Sequence, residues 1–499
     1  MSVLAAVEGV NVVAKNFESY VVPMTIIIII GLFAIQRHGT QRIGGLLFGP
    51  VMIVWFATLG GLGLVSILKY PKILLALNPY YALDFVITQP SLAFILLSAV
   101  FLALTGGEAL FADMGHFGAK PVRMAWYGVV WPGLILNYFG QGALVLRHPE
   151  AVESPFYLLA PEWGLLFLVV LATFATVIAS QATIAGAYSM TLQAARLNLL
   201  PRVNVMHTSD TEQGQIYMPF VNGLMFVGVV LLVLGFGSSS ALAAAYGLAV
   251  SGTMLITTGM VLYLLRKTQL KMRGVMLATF TLFAILEIGF VSSNISKLAH
   301  GGWLPLSLGI VFFIILHTWQ RGQAYLAKER TDNSLSMNTF LKMPMDNIVH
   351  VEGTAVYLAS DLSVVPSALM HNLKHYKVLH ATNVFLLVKN LNIPYVQSSE
   401  RVRVQTVANN MYTVEIAFGF REQPLVVPIL QSIQYEGLHF DGMNTTYFTS
   451  NSKLIDGVGR FNRWQFGVFN TMYKQAASAN DYFGLPPNRT VQLGAQVAL

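Results

Sequence analysis

The sequence predicts a polytopic, all-α membrane domain with nine complete transmembrane helices, followed by a smaller water-soluble domain. Of the 499 residues, 55% are hydrophobic and only 11% are charged, whereas soluble proteins have about 25% charged residues. The deficit belongs to residues 1–320, because residues 321–499 carry 15 of the 30 Lys and Arg and 12 of the 23 Asp and Glu. The first two thirds therefore have the composition of a protein that faces lipid.

Long uncharged runs supply the predicted helices. A helix needs about 20 apolar residues to cross the hydrocarbon core of a bilayer. The long run 213–265 is divided in two by the polar and glycine residues at 235–240. Soluble core helices are the alternative, but they rarely run so long without charge. The predicted spans are 20–36, 45–67, 90–113, 124–146, 162–184, 217–235, 241–265, 274–295 and 303–320.

Basic residues orient these helices. One set of alternate loops holds ten Lys and Arg in four loops, and the opposite set holds five in five loops. The positive-inside rule places the richer set in the cytoplasm, together with the tail after Arg321. The apolar stretch 2–13 is too short to span the membrane and resembles the end of a helix whose start is missing.

Four domains follow from these patterns. They are a helix remnant at 1–13, a transmembrane domain at 14–321, a linker at 322–345 and a cytoplasmic α/β domain at 346–499. In the last, the residue pattern predicts strands at 350–359, 383–389 and 445–448 and a hairpin at 401–418, with helices among them. A regulatory role, assembly of a homodimer and a passive structural role are open alternatives for this domain.

Missing motifs exclude several classes of function. The chain has no cysteine, which excludes disulfides and Cys-ligated metal. It contains no Walker A loop, nucleophile elbow or HExxH motif, so we predict neither an enzyme nor a resident cofactor. The net charge of +7 is spread over short loops, so the expected partner is the lipid bilayer and not nucleic acid.

The third predicted span contains the most unusual polar segment. Thr105 and Glu108 are three residues apart and share a helix face, while Gly106 and Gly107 weaken the helix between them. Unwound backbone exposes carbonyl oxygens and a carboxylate adds charge, which together suit a dehydrated monovalent cation. We therefore predict a cation or proton site at these four residues. Close helix packing at the glycines and a structural, hydrogen-bonded Glu108 are the alternatives.

Other polar side chains in apolar surroundings are weaker candidates for the same pathway. They are Glu8, Asp113, Gln141, Ser180, Tyr246 and Glu287. For Glu8 the alternative is a solvated helix end, and for Asp113 a structural role at the cytoplasmic end of its span. Interhelical hydrogen bonds would explain Gln141 and Ser180, and the small residues around Tyr246 also suit tight packing.

The segment 105–118, Thr-Gly-Gly-Glu-Ala-Leu-Phe-Ala-Asp-Met-Gly-His-Phe-Gly, closely resembles the signature of the KUP/HAK/KT potassium-uptake family. Further similar motifs follow in order along the chain, at 180–189, 200–219, 245–254, 300–303 and 485–499. The resemblance runs from Glu8 to Leu499 and is closest to bacterial, Kup-type members.

This resemblance implies a LeuT-like (APC-type) inverted-repeat bundle of twelve helices, which here would lack its first two helices and the start of the third. It also implies import of potassium across the cytoplasmic (inner) membrane as a proton symporter. Potassium would bind near Thr105 and Glu108, while Glu8 and Tyr246 match acidic and pathway positions of the family. We expect a truncated N-terminus, with Met1 mistaken for a start.

Two other functions stay open at this stage. Another cation-coupled permease of the same architecture, such as one for amino acids, would share the broken helix. A non-transporting truncated fragment would follow if the missing helices are required for the ion site.

Overall fold

The structure is a computed structural model of the chain. It describes every residue except 14, 39–40, 104, 108–109, 111–113, 115–117, 204, 208–215, 269–271, 333–334, 344–347, 392, 420–421, 456–460, 477 and 499. The chain divides into two units, Met1–Ser189 with Val205–Ile310 and Met190–Asn204 with Val311–Leu499. This division does not test the predicted domain boundaries, which stay a prediction.

The first unit is built from helices. In chain order they are α1 (Ser2–Glu8), α2 (Val10–Val13), α3 (Val21–Ile35), α4 (Gln41–Lys69), α5 (Pro79–Thr88), α6 (Pro90–Ala103), α7 (Ala119–Ala125), α8 (Trp131–Arg147), α9 (Leu165–Arg196), α10 (Pro219–Phe236), α11 (Ser239–Lys267), α12 (Arg273–Ile295) and α13 (Trp303–Asp332). The last residues of α9 and the part of α13 from Val311 belong to the second unit. A two-stranded hairpin, β1 (Met206–His207) with β2 (Ile216–Tyr217), precedes α10.

Within the described residues, eight helical segments are long and apolar enough to cross a membrane. They are Phe17–Ile35, Leu47–Lys69, Ala119–Arg147, Glu162–Arg196, Pro219–Phe236, Ser239–Lys267, Arg273–Ile295 and Trp303–Glu329. The predicted count of nine complete spans stays a prediction, because part of the predicted span 90–113 lies outside the described residues. The predicted span 90–113 contributes α6, an unbroken helix of 14 residues. At 1.5 Å per residue α6 is about 21 Å long, which is less than the hydrocarbon thickness of ~30 Å.

The predicted fold class is corrected. The resemblance implied a LeuT-like inverted-repeat bundle lacking two helices, with a small α/β domain. The described residues instead form a helical membrane domain with eight apolar helices and a C-terminal domain with a mixed sheet. The hydropathy pattern counts apolar residues and does not register where a helix stops, so it did not predict the end of α6 at Ala103.

Glycine allows α4 and α8 to approach closely. A Cβ added to Gly63 would overlap the carbonyl group of Leu136, and one added to Gly140 would overlap Gly63. Ser66 closes the same contact by donating its hydroxyl to the Gly140 carbonyl oxygen at 2.8 Å. Small residues and a hydroxyl at a helix crossing are typical of packing in lipid, where no hydrophobic force draws helices together.

The second unit contains a six-stranded sheet. Its strands are β3 (Val349–Ala359), β4 (Val378–Leu391), β5 (Val402–Ala408), β6 (Met411–Gly419), β7 (Thr445–Ile455) and β8 (Thr490–Ala498), in the spatial order β5-β6-β4-β3-β7-β8. All neighbouring pairs are parallel except β5 with β6, which is antiparallel. The helices of this region are α14 (Met337–Phe340), α15 (Ser367–His371), α16 (Val426–Gln431), α17 (Arg463–Gln475) and α18 (Ala479–Phe483).

Both faces of this sheet are covered. Val384 and Leu386 of β4 belong to a core with Val426 and Leu430 of α16. The intervening Phe385 belongs to a separate core with Leu369 of α15. Parallel strands buried on both faces are continuous apolar runs, and the central strands of this sheet follow that rule.

The end of α13 packs against α17 within the second unit. Trp319, Leu326 and Phe469 form an apolar cluster with Leu454 of β7. Gly322 leaves the space for the Phe469 ring, since a Cβ at this position would overlap the ring. Six residues after the end of α9, the guanidinium of Arg202 lies 5.1 Å from the centre of the Phe483 ring of α18.

Candidate functional site

The break after α6 lies where the sequence predicts the cation site. The helix ends at Ala103, and Gly106 has φ of +108°, a conformation that favours glycine. Thr105 is half-buried and donates its hydroxyl to the Leu102 carbonyl oxygen at 2.7 Å. Gly107 is helical again, and its neighbour Gly106 accepts a bond from the Leu110 amide at 3.3 Å. A hydroxyl and terminal carbonyls therefore meet at the break.

A second helix supports this end of α6. The Tyr138 hydroxyl of α8 donates to the Ala103 carbonyl oxygen at 2.8 Å. The last carbonyls of a helix lack partners within the helix, so an outside donor stabilises its end. Sequence reasoning missed Tyr138, because a tyrosine in an apolar run carries no signal of its partner.

The two acidic residues of the predicted site, Glu108 and Asp113, lie outside the described residues. Their predicted roles as ion ligand and gating group therefore stay predictions. Among the residues that the structure does describe, no group of three or more His, Cys, Asp or Glu side chains could hold a metal ion.

Helix α12 connects α6 with α11 near the break. Ser293 of α12 donates its hydroxyl to the Phe94 carbonyl oxygen of α6 at 2.6 Å. The next residue, Asn294, is 1% exposed. A Cβ added to Gly247 of α11 would overlap the Oδ1 atom of Asn294, at 2.5 Å. Leu102 of α6 lines the same spot. Tyr246 is half-buried and directly precedes Gly247, so this predicted pathway residue lies on the helix that meets the end of α6.

Glu8 is located at the N-terminal end of α11. Its Oε1 accepts the backbone N–H of Ser239 at 2.8 Å, and its Oε2 accepts the Ser239 hydroxyl. Ser239 is the first residue of α11, and a carboxylate at a helix N-terminus is favoured by the helix dipole. The structure therefore places Glu8 as a half-buried cap that joins α1 to α11. Tyr246 lies seven residues further along α11, about 10 Å away along the axis.

A loop tyrosine adds to the surroundings of Glu8. The Tyr157 hydroxyl donates to the Ala6 carbonyl oxygen at 3.1 Å, two residues before Glu8. Burial and then the nearby charge of Glu8 raise the pKa of Tyr157 to about 12. Tyr157 therefore acts as a hydrogen-bond donor at neutral pH.

Glu287 is separate from the break. It is 7% exposed, and its Oε1 accepts the Thr258 hydroxyl of α11 at 3.0 Å. Thr258 lies twelve residues beyond Tyr246, or about 18 Å along the helix axis. Glu8, Tyr246 and Glu287 therefore lie at three different positions along the length of α11. Tyr246 belongs to this helix, whereas Glu8 and Glu287 contact it from α1 and α12.

Gln141 and Ser180 lie on α8 and α9, where the structure gives neither a contact with the end of α6. Gln141 is half-buried beside Gly140, the glycine that packs on α4. Ser180 donates to the Thr176 carbonyl oxygen of its own helix at 2.8 Å. The adjacent Gln181 instead accepts a bond from Gln36, which links α9 to the residues after α3.

Two family descriptions match the chain. Residues 1–324 match the integral membrane domain of K+ potassium transporters, and residues 352–499 match the K+ potassium transporter C-terminal domain. The two matches cover nearly the whole chain and leave only a short segment between them.

Several bacterial proteins are similar over the full chain. The protein is 48% identical to "Probable potassium transport system protein Kup 2" of Chromobacterium violaceum, over 100% of the chain and 80% of that relative. It is 44% identical to a Kup 1 protein of Paramagnetospirillum magneticum and 45% identical to a Kup protein of Polaromonas naphthalenivorans, over 100% of the chain and 78% and 80% of those relatives. These matches do not support the predicted truncation.

Proposed function

This chain belongs to the K+ potassium transporter family, and we propose that it imports potassium across the cytoplasmic membrane as a proton symporter. The family confirms the predicted resemblance, the multi-pass membrane location and the prediction that the chain is not an enzyme. The observation that carries the proposal is the family match over both parts of the chain. The family match does not include coupling to protons, which is our own addition to the proposal.

The break after α6 is the proposed potassium site. Oxygen ligands suit a hard monovalent cation, and discontinuous helices in membranes present carbonyl oxygens to such ions. The Thr105 hydroxyl and the terminal carbonyls of α6 supply neutral oxygens, and Gly106 permits the backbone to turn away from the helix. Glu108 would add the charge that compensates the ion.

In this proposal the remaining predicted residues line the path or hold the helices in place. Tyr246 would line the path where α11 meets α6, and Glu8 would hold the start of α11 through its bonds to Ser239. Asp113 would act at the cytoplasmic end of the broken segment. Gln141 and Ser180 would keep α8 and α9 in place and would not contact the ion.

We further propose that the C-terminal domain lies in the cytoplasm and can join two copies of the chain. Loop charge supports the orientation, since the basic loops alternate with poorer ones. Protease accessibility in right-side-out and inside-out vesicles tests the orientation, and mass measurement in detergent tests the dimer.

The experiment for the main proposal uses a strain that lacks potassium uptake. Expression of the chain should restore growth at low potassium and give rubidium uptake that excess amino acids do not inhibit. Glu108→Gln should reduce that uptake at least tenfold, because the neutral amide cannot compensate the charge of the ion. Glu18→Gln, which changes an exposed acid near the start of the first span, is the matched control and should transport normally.

Two results would contradict the proposal. Normal rubidium uptake by a normally expressed Glu108→Gln protein would exclude the assigned ion site. Failure of the wild-type chain to restore growth, despite insertion into the membrane, would favour a non-transporting fragment.

A further inference from the structure

Helix α12 has an unusual distribution of buried residues. The described residues of α12 that are buried are Glu287, Ser293 and Asn294, all of them polar. Apolar neighbours such as Ile285 and Ile288 are more than half exposed, as expected for side chains that face lipid. Glu287 is therefore on the protein side of a helix whose other sides face the bilayer.

One oxygen of Glu287 has a partner and the other has none. Oε1 accepts the Thr258 hydroxyl at 3.0 Å, whereas Oε2 is fully buried without a hydrogen-bond partner among the described residues. A buried carboxylate oxygen without a partner costs several kcal/mol. An ionisable group that is retained in a transmembrane helix despite this cost is by default a functional candidate.

No basic side chain is positioned to neutralise Glu287 in the described elements that pack against it. The α6 segment Pro90–Ala103 contains no ionisable side chain. The ionisable side chains of α11 are Tyr246, Tyr263, Arg266 and Lys267. The last two lie in its final turn, where the Lys267 ammonium stacks on the exposed Tyr263 ring at 4.6 Å.

The charged end of α12 itself is also far away. Arg273 donates to the Arg266 carbonyl oxygen at 2.9 Å at the end of the helix pair. It lies fourteen residues before Glu287, which corresponds to about 21 Å along the helix. Among the described residues, therefore, no fixed cation lies near Oε2 of Glu287.

A single bare oxygen is suited to a proton and not to potassium. A dehydrated potassium ion requires several oxygen ligands, but a proton requires one. We propose that Oε2 of Glu287 is the binding site of the co-transported proton, separate from the break after α6. This inference rests on the proposed proton-coupled function and adds the location of the proton site.

The step is a simple protonation. Oε2 takes a proton from one side of the membrane to give a neutral carboxylic acid and releases the same proton to the other side. Thr258 remains the donor to Oε1 in both states. Protonation removes the charge from the contact between α11 and α12, so the packing of these two helices depends on proton occupancy.

The decisive experiment uses the purified chain in proteoliposomes with rubidium as the probe. Glu287→Gln resembles the neutral acid in shape and charge and keeps an acceptor for Thr258. We expect this variant to retain rubidium exchange at equilibrium within twofold of wild type. Net rubidium uptake driven by a pH gradient, and proton influx reported by an internal pH dye, should fall at least tenfold. Ser292→Ala, at an exposed position of the same helix, is the control and should match wild type.

Each outcome decides the proposal. Proton influx that persists in Glu287→Gln overturns the site while the proposed symport stands. Loss of exchange in a monodisperse Glu287→Gln protein also overturns it, because the amide should support the proton-bound form. Rubidium uptake without proton influx in wild type would instead refute the proposed coupling, and the proton site with it.

Thr258→Val provides a second test if Glu287→Gln does not fold. The hydroxyl bonds more strongly to a charged than to a neutral carboxyl group, so its removal favours the protonated form. We expect the pH profile of rubidium uptake to differ from that of wild type, while Ser292→Ala leaves it unchanged. An unchanged profile overturns the proposal.

Discussion

The sheet of the C-terminal domain and the α11–α12 pair bury opposite kinds of side chain. In the sheet, Val356, Val384 and Phe385 are completely buried and apolar. In the helix pair, the buried positions of α12 are Glu287, Ser293 and Asn294, and large apolar residues lie outside. An apolar core is typical of a domain in water, whereas polar burial with apolar residues outside is typical of helices in lipid, where apolar burial adds no stabilisation.

The difference shows what each region depends on. The sheet is stabilised by removing apolar area from water, at roughly 25 cal/mol per Å². The helix pair depends on close packing and on a few hydrogen bonds, each worth about 0.6 kcal/mol on average in membranes. The same substitution should therefore have different consequences in the two regions.

Truncation of a large apolar side chain gives the greatest contrast. Phe385→Ala should destabilise the C-terminal domain by about 3–5 kcal/mol, because it leaves a cavity in a packed core. Ile285→Ala on the exposed face of α12 should change stability little, since lipid contacts that face in the folded chain. Thermal unfolding of the detergent-purified protein, followed by tryptophan fluorescence, measures both. Equal losses would contradict the comparison.

Overpacking a helix crossing should have the next largest effect. Gly63→Ala should cost about 1–3 kcal/mol, because the new methyl group overlaps the Leu136 carbonyl and forces α4 away from α8. Gly61→Ala has open space around its Cβ and serves as the control. The same unfolding assay applies. A tolerated Gly63→Ala would show that this crossing is looser than its geometry indicates.

Loss of one membrane hydrogen bond should have a smaller effect. Ser293→Ala removes the bond to the Phe94 carbonyl oxygen and should cost about 0.6 kcal/mol, and at most about 1.7. Ser292→Ala removes only a bond within its own helix and should be neutral. A loss above 3 kcal/mol would mean that polar contacts stabilise the helix pair as strongly as apolar burial stabilises the sheet.

The smallest expected effect is a pH dependence of the sheet. Burial lowers the pKa of His380, whose Nδ1 is buried without a partner among the described residues. The unfolded chain binds this proton more readily, so stability should fall as pH drops below the unfolded value of about 6.5. His380→Gln should remove this contribution while leaving other acid effects. An identical acid-induced loss of stability in wild type and variant would disprove this contribution of His380.

The sequence predicted the apolar segments well and the helix ends poorly. Uncharged runs locate most membrane helices because charge is expensive in lipid. Within 90–113 they did not predict the end of α6 at Ala103, because hydropathy records neither the positive φ of Gly106 nor the bond from Tyr138. In the tail, the order of strands depends on pairing across the sheet, and β8 was not predicted at all.

The candidate site was predicted only in part. The Thr-Gly-Gly-Glu pattern pointed to the segment where α6 ends, because polar and flexible residues are conspicuous in an apolar run. The partners could not be predicted, since they are distant in sequence. Ser239 bonds Glu8 from 231 residues away, and Thr258 bonds Glu287 from 29 residues away. An ordinary Ser or Thr gives no sign of such a contact.

The packing of the Phe469 ring against Gly322 has a structural consequence. α13 is a single helix of 30 residues, and its end is fixed to α17 by that ring and by Trp319 and Leu326. Within the second unit, the part of α13 from Val311, α17 and Leu454 of β7 therefore pack as one piece, and a change in the position of one must be accommodated by the others.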